Sequence, residues 1–141
     1  MIDRWHAYLA MSRHDQAWHE NDMADELAEY HEETHWFKKW SELSDVVYTT
    51  TRSRWDDCPL AFPLQPYQYY LGIVYMIPKY TLRWYFYRTA GRKAGAAREL
   101  HEVRNPHKTH KLHHIAAKYD VDPRLFQTIC ERQLRYWPLL P

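Results

Sequence analysis

Acidic residues recur at one helical spacing in two places. Glu26 and Glu29 belong to the run Asp25-Glu26-Leu27-Ala28-Glu29, and Glu42 and Asp45 follow after twelve intervening residues. A pair at i, i+3 projects from one face of an α-helix with about 5–6 Å between side chains. Two such pairs on antiparallel neighbouring helices would gather four carboxylates, Glu26, Glu29, Glu42 and Asp45, round one point. Such an oxygen cage suits a hard cation. Mg2+ takes a few carboxylates and fills its octahedron with water and substrate phosphate oxygens, with Mn2+ as a substitute, which suits nucleotide chemistry better than a closed structural site.

The cage imposes a geometric condition. On one uninterrupted helix Glu26 and Glu42 would stand about 24 Å apart and nearly on opposite sides. The chain must therefore reverse within residues 33–41, where Thr34, His35, Trp36 and Phe37 are poor helix formers although neither Gly nor Pro is present. Beside that reversal, Trp36 and Trp40 offer faces on which a base can stack, and Lys38 and Lys39 offer charge for phosphate. Core packing is the competing role for the aromatics.

Two further patterns compete for function. His31-Glu32-Glu33-Thr34-His35 is a literal H-E-x-x-H, the zincin motif of a small zinc metalloprotease. It lacks a third ligand, and His31 lies about 140° round a helix from Glu26, so zinc and Mg2+ would use different faces. Five more histidines fall in residues 101–114, best explained as a basic surface. Residues 115–123 between two expected helices have a helix-turn-helix look in a basic half, which makes a DNA-binding module the non-enzymatic alternative. Its second helix offers Arg124, Gln127, Arg132 and Arg135 but also Leu125, Phe126, Ile129 and Leu134, which favours a packed amphipathic helix, and nucleic acid is not the expected partner.

The elements that must position these residues are helical. The 141 residues suit one domain, and 45% hydrophobic with 16% aromatic content is ample for a core. Three glycines are too few for Walker or Rossmann phosphate loops. Net charge is +1, but residues 1–60 hold six Lys+Arg against thirteen Asp+Glu, net −7, and residues 61–141 hold thirteen against five, net +8. Cys58 and Cys130 fit no disulfide or metal pattern, no signal peptide opens the chain, and no apolar run approaches the ~20 residues of a membrane span, so a cytoplasmic location is expected. With few alternating patterns, the fold class is all-α. A first helix is expected over 2–19, a second capped by Asn21 or Asp22, and a third ending near Trp55. A proline-rich loop to Pro66 follows, then an aromatic helix over 67–89 kinked or split at Pro78, with Gly91 and Gly95 loosening the chain beyond it. Asn105-Pro106 and Asp122-Pro123 are N-cap plus N1-proline signatures, predicting helices over 106–119 and 123–136.

Over residues 20–55 the chain resembles the MazG-like all-α nucleoside triphosphate pyrophosphohydrolases, whose pattern is E-E-x-x-E followed by E-x-x-D. Asp25 stands at the first glutamate, and Ser41-Glu42-Leu43-Ser44-Asp45-Val46-Val47-Tyr48 looks like the second motif helix. The resemblance implies a single domain over 1–141, a helical bundle with an antiparallel pair carrying the acidic motifs (about 20–55) and an additional basic C-terminal helical segment (about 92–136). It implies hydrolysis of the α–β phosphate link of a nucleoside triphosphate, with Glu26, Glu29, Glu42 and Asp45 as metal ligands. Glu26 and Glu29 are the catalytic carboxylates, Glu29 being the chosen acceptor of the water proton. It further implies that Arg104, Asn105 and Lys108 meet the leaving pyrophosphate, with capping of its own helix the competing role for Asn105, and that the protein is a homodimer or larger.

Overall fold

The computed structural model describes residues 1–136, and the tail expected to be non-helical, 137–141, lies outside the described residues. Six helices follow in order: α1 Ile2–Leu9, α2 Gln16–Glu32, α3 Trp36–Trp55, α4 Pro66–Lys93, α5 Thr109–Lys118 and α6 Pro123–Leu134. No strand occurs among the described residues, so the class is all-α. The chain divides into two compact units, with the boundary at Pro78 inside α4.

In the first unit, the expected helix over 2–19 is two helices. Ala10 takes the left-handed conformation (φ 49°) and its N–H bonds to the His6 carbonyl, which ends α1. Asp15 starts α2 by accepting the Trp18 N–H at 2.9 Å, so the cap is neither Asn21 nor Asp22. Those two residues lie inside α2. The connector is fastened to the far end of α3. Asp56 Oδ2 accepts the His14 N–H at 3.1 Å, Arg52 donates to the Ser12 carbonyl, and exposed Arg13 meets Asp57.

The required reversal occupies residues 33–35. The Glu33 carboxylate accepts the N–H groups of Thr34 and His35 at 2.9 and 2.8 Å, satisfying donors that a glycine turn would leave to solvent. Beyond it α2 and α3 run antiparallel, as the descending partners His19–Asp56, Asp22–Thr49 and Tyr30–Lys39 show. The core of this unit includes Leu9, Met23, Leu43, Val46, Val47 and Met76. Gly72 lets α4 approach α3: a Cβ there would sit 2.4 Å from Val47 Cγ2.

The aromatic helix is longer than expected. Pro66 opens it instead of closing the loop, where its missing N–H is no loss, and it continues through Pro78 to Lys93. Gly91 lies within it and does not loosen it, because its bare Cα accommodates Leu100.

In the second unit Phe86, Tyr87, Ala90, Leu100, Leu112, Ile115, Phe126 and Cys130 form one core. Asp122 caps α6 as expected, accepting the Leu125 N–H at 2.7 Å with Pro123 in the first turn. The twin signature at Asn105-Pro106 does not open a helix. The Asn105 side chain accepts the His107 N–H at 3.0 Å and closes a local turn, and α5 starts only at Thr109.

Candidate metal centre

The antiparallel α2–α3 pair brings Glu26, Glu29 and Glu42 together, with one carboxylate oxygen from each lying within 4.8 Å of the others. Glu26 and Glu42 are partly buried and Glu29 is exposed, so the trio opens to solvent. Among the described residues it is the one group of three or more His, Cys, Asp or Glu side chains gathered so closely. Asp45 is not in the trio, but its charge acts on it. Burial pushes the Glu26 carboxyl up to about 8, and Asp45, Asp22, Glu29 and Glu42 push in the same direction. Like charges so placed favour a proton or a cation, and the donor set, all carboxylate oxygen, fits Mg2+ or Mn2+.

Asp22 is the acidic neighbour that the motif pattern missed. It precedes Glu26 by one helical turn, accepts the Thr49 hydroxyl at 2.6 Å, and has its own carboxyl raised mainly by burial. Its signal in the sequence is the i, i+4 spacing to Glu26, which the i, i+3 pairs leave out. Asp25 is exposed on α2.

The expected substrate residues divide between the two units. In the first, Tyr30, Trp36, Lys39, Trp40, Leu43 and Leu71 line an open groove of about 400 Å³. Trp40 holds the groove wall by donating its indole N–H to the Leu71 carbonyl at 2.9 Å. Lys39 donates to the Glu33 carbonyl at 3.2 Å and lies over the Tyr30 ring, so part of its capacity serves the reversal. Lys38 is exposed. Arg104, Asn105 and Lys108 belong to the second unit, where Arg104 lies 3.9 Å from Glu102 and Lys108 precedes α5.

The H-E-x-x-H motif does not survive the reversal. His31 is in the last turn of α2, whereas His35 is the extended residue (φ −77°, ψ 122°) before α3. The two imidazoles are therefore not one turn apart on a common helix, which is the geometry a zincin needs.

A second polar cluster lies on the same pair of helices and was invisible in the sequence. His19 Nε2 and Asp56 Oδ2 are 3.0 Å apart, Arg52 Nε donates to the same oxygen at 3.1 Å, and all three side chains are essentially fully buried. His6 Nε2 meets Thr51 Oγ1 nearby on α3 at 3.0 Å. Burial, and then the Arg52 charge, lower His6 to about 4 against the opposing charge of Asp56.

No protein-family model matches the chain, and neither a curated protein nor a solved structure matches it. No helix among the described residues is long and apolar enough to cross a membrane.

Proposed function

We propose that the chain is a Mg2+-dependent nucleoside triphosphate pyrophosphohydrolase of the MazG-like type, converting a triphosphate and water into a nucleoside monophosphate and pyrophosphate. The observation that carries this reading is the convergence of Glu26, Glu29 and Glu42 from two acidic motifs on one helical hairpin. Mg2+, or Mn2+ in its place, would supply neutralisation of phosphate oxygens and a more acidic water. The chain's own part is to hold and to accept. Glu26 and Glu42, partly buried, would hold the cation from α2 and α3, with Asp45 adding charge from α3. Glu29, exposed at the rim, takes the proton of the attacking water as its oxygen bonds to phosphorus and the bridging oxygen leaves with pyrophosphate. The groove bounded by Trp36, Lys39 and Trp40 supports binding of the nucleoside, and exposed Lys38 supplies charge for phosphate. In this reading the working unit is a homodimer or larger.

The test is a panel of ribo- and deoxyribonucleoside triphosphates with Mg2+ or Mn2+, scored for pyrophosphate. Release that requires the metal and disappears in Glu42→Gln is expected. No pyrophosphate from any nucleotide with either metal overturns the reading.

A further inference from the structure

The second unit carries a surface that the hydrolase reading does not use. From residue 79 onward the chain holds thirteen Lys+Arg against five Asp+Glu, net +8. Three of those acids are already engaged: Glu99 meets Arg88 and Arg92, buried Glu102 meets Lys118 at 2.7 Å, and Asp122 caps α6. With Lys79 and Arg83 buried and Arg88, Arg92 and Lys118 paired, the cations left on the exposed surface still outnumber the acids.

That charge has a form. Helices α5 and α6 pack against each other across residues 119–122, where Asp120 is left-handed (φ 53°) and the Val121 N–H bonds to the Ala116 carbonyl at 2.9 Å. Two packed helices with a short turn and a firmly capped second helix form a helix-turn-helix arrangement, whose second helix fits a DNA major groove about 12 Å wide. Phe126, Cys130 and Gln133 bury one side of α6. Arg124, Arg132 and Arg135 occupy the other side, within about 80° of arc and spread over about 16 Å of axis. All three are exposed, and their guanidinium groups have no hydrogen-bond or ion-pair partner among the described residues. Packing and a basic outer face thus coexist on α6, whereas the sequence pattern had set them against each other.

We infer that α6 docks this arginine stripe on the phosphate backbone of duplex DNA and does so without reading sequence. The side chains placed to read base edges are already engaged. Thr128 donates to the Arg124 carbonyl at 2.9 Å, and Gln127 is held by His113 at 2.6 Å while donating to Glu131 at 2.8 Å. A lipid surface fits less well, because an interfacial helix buries a broad apolar face and the exposed large apolar side chain on α6 is Leu125 alone. Glu131 shares the arginine arc and opposes binding. The inference is independent of the hydrolase reading.

The test uses the full chain and the fluorescence anisotropy of two labelled duplexes of unrelated sequence, each roughly 20 base pairs, titrated from about 50 mM salt upward. Both duplexes should bind within about twofold of each other, with a log–log salt slope of about −2 to −3, the value for two or three neutralised phosphates. Arg124→Gln, Arg132→Gln and Arg135→Gln together should lower affinity at least about tenfold and flatten the slope, while Glu131→Gln should raise affinity. Circular dichroism checks folding, and the single change Arg132→Glu repeats the loss if the triple variant misfolds. The inference is overturned by no binding at the lowest salt, by wild-type affinity in the arginine variants, or by a strong preference for one duplex. Binding to phosphatidylserine vesicles without binding to DNA overturns it equally.

Discussion

Helices α2 and α3 carry two polar clusters, one toward each end of the hairpin, and the two are opposites. At the end away from the reversal, His19, Arg52 and Asp56 are buried, and the guanidinium and carboxylate charges cancel. Toward the reversal, partly buried Glu26 and Glu42 and exposed Glu29 are all acidic, with no cationic side chain in the trio. A buried network whose opposite charges are paired fastens α1, the connector and α2 to α3, although Asp56 Oδ1 and Arg52 Nη1 keep no hydrogen-bond partner among the described residues. A cluster whose charges add is costly to the folded chain unless something positive joins it. The same two helices therefore hold a buried fastening and the acidic cluster proposed to bind a cation, and burial with charge balance tells them apart.

That contrast is broken most forcefully at Asp56. Asp56→Ala leaves the buried Arg52 charge uncompensated and should cost about 3–5 kcal/mol of stability in a denaturant titration, with turnover per folded molecule little changed. An Asp56→Ala protein that unfolds at the wild-type midpoint would remove the structural role assigned to the network.

His6 sharpens the same side of the comparison through pH. Its folded pKa, about 4, lies below the ordinary 6.5, so the unfolded chain takes up the proton first. Stability associated with neutral His6 is complete above pH 6.5 and is lost as the pH falls through 4. The stability difference between wild type and His6→Gln should accordingly shift by on the order of 3 kcal/mol between pH 7 and 4. A difference that stays constant across that range would contradict the buried neutral imidazole.

On the other side of the comparison, Glu42→Gln should lower pyrophosphate release at least about a hundredfold, roughly 2.7 kcal/mol or more, with the metal-free protein as stable as wild type or more so. The joint change His31→Ala and His35→Ala should have the smallest effect, leaving kcat/KM within about threefold, since the two histidines share no helix. Loss of activity together with loss of bound zinc would reinstate the zincin.

What was legible in the sequence follows the reach of each interaction. A shared cage required a reversal within residues 33–41, which the chain makes at 33–35, and Asp122-Pro123 announced α6 because a cap is decided within one turn of chain. Asn105-Pro106 carried the same local signature but closes a turn onto His107, and nothing nearby in sequence distinguishes the two outcomes. The cap expected at Asn21 or Asp22 falls instead at Asp15, and Asp22, inside the helix, accepts from Thr49, twenty-seven residues away. The His19–Asp56 and His6–Thr51 pairs span 37 and 45 residues, so their partners were unreadable from spacing.

The central claim, that Glu26, Glu29 and Glu42 form a site for a divalent cation, is tested most directly by thermal unfolding of the full chain against Mg2+ concentration at constant ionic strength. Binding to the folded state alone should raise Tm progressively, by about 2.7 kcal/mol of stabilisation at a hundredfold excess over Kd, and Glu42→Gln should abolish most of the rise. A wild-type Tm indifferent to Mg2+, or an equal rise in Glu42→Gln, would contradict the account.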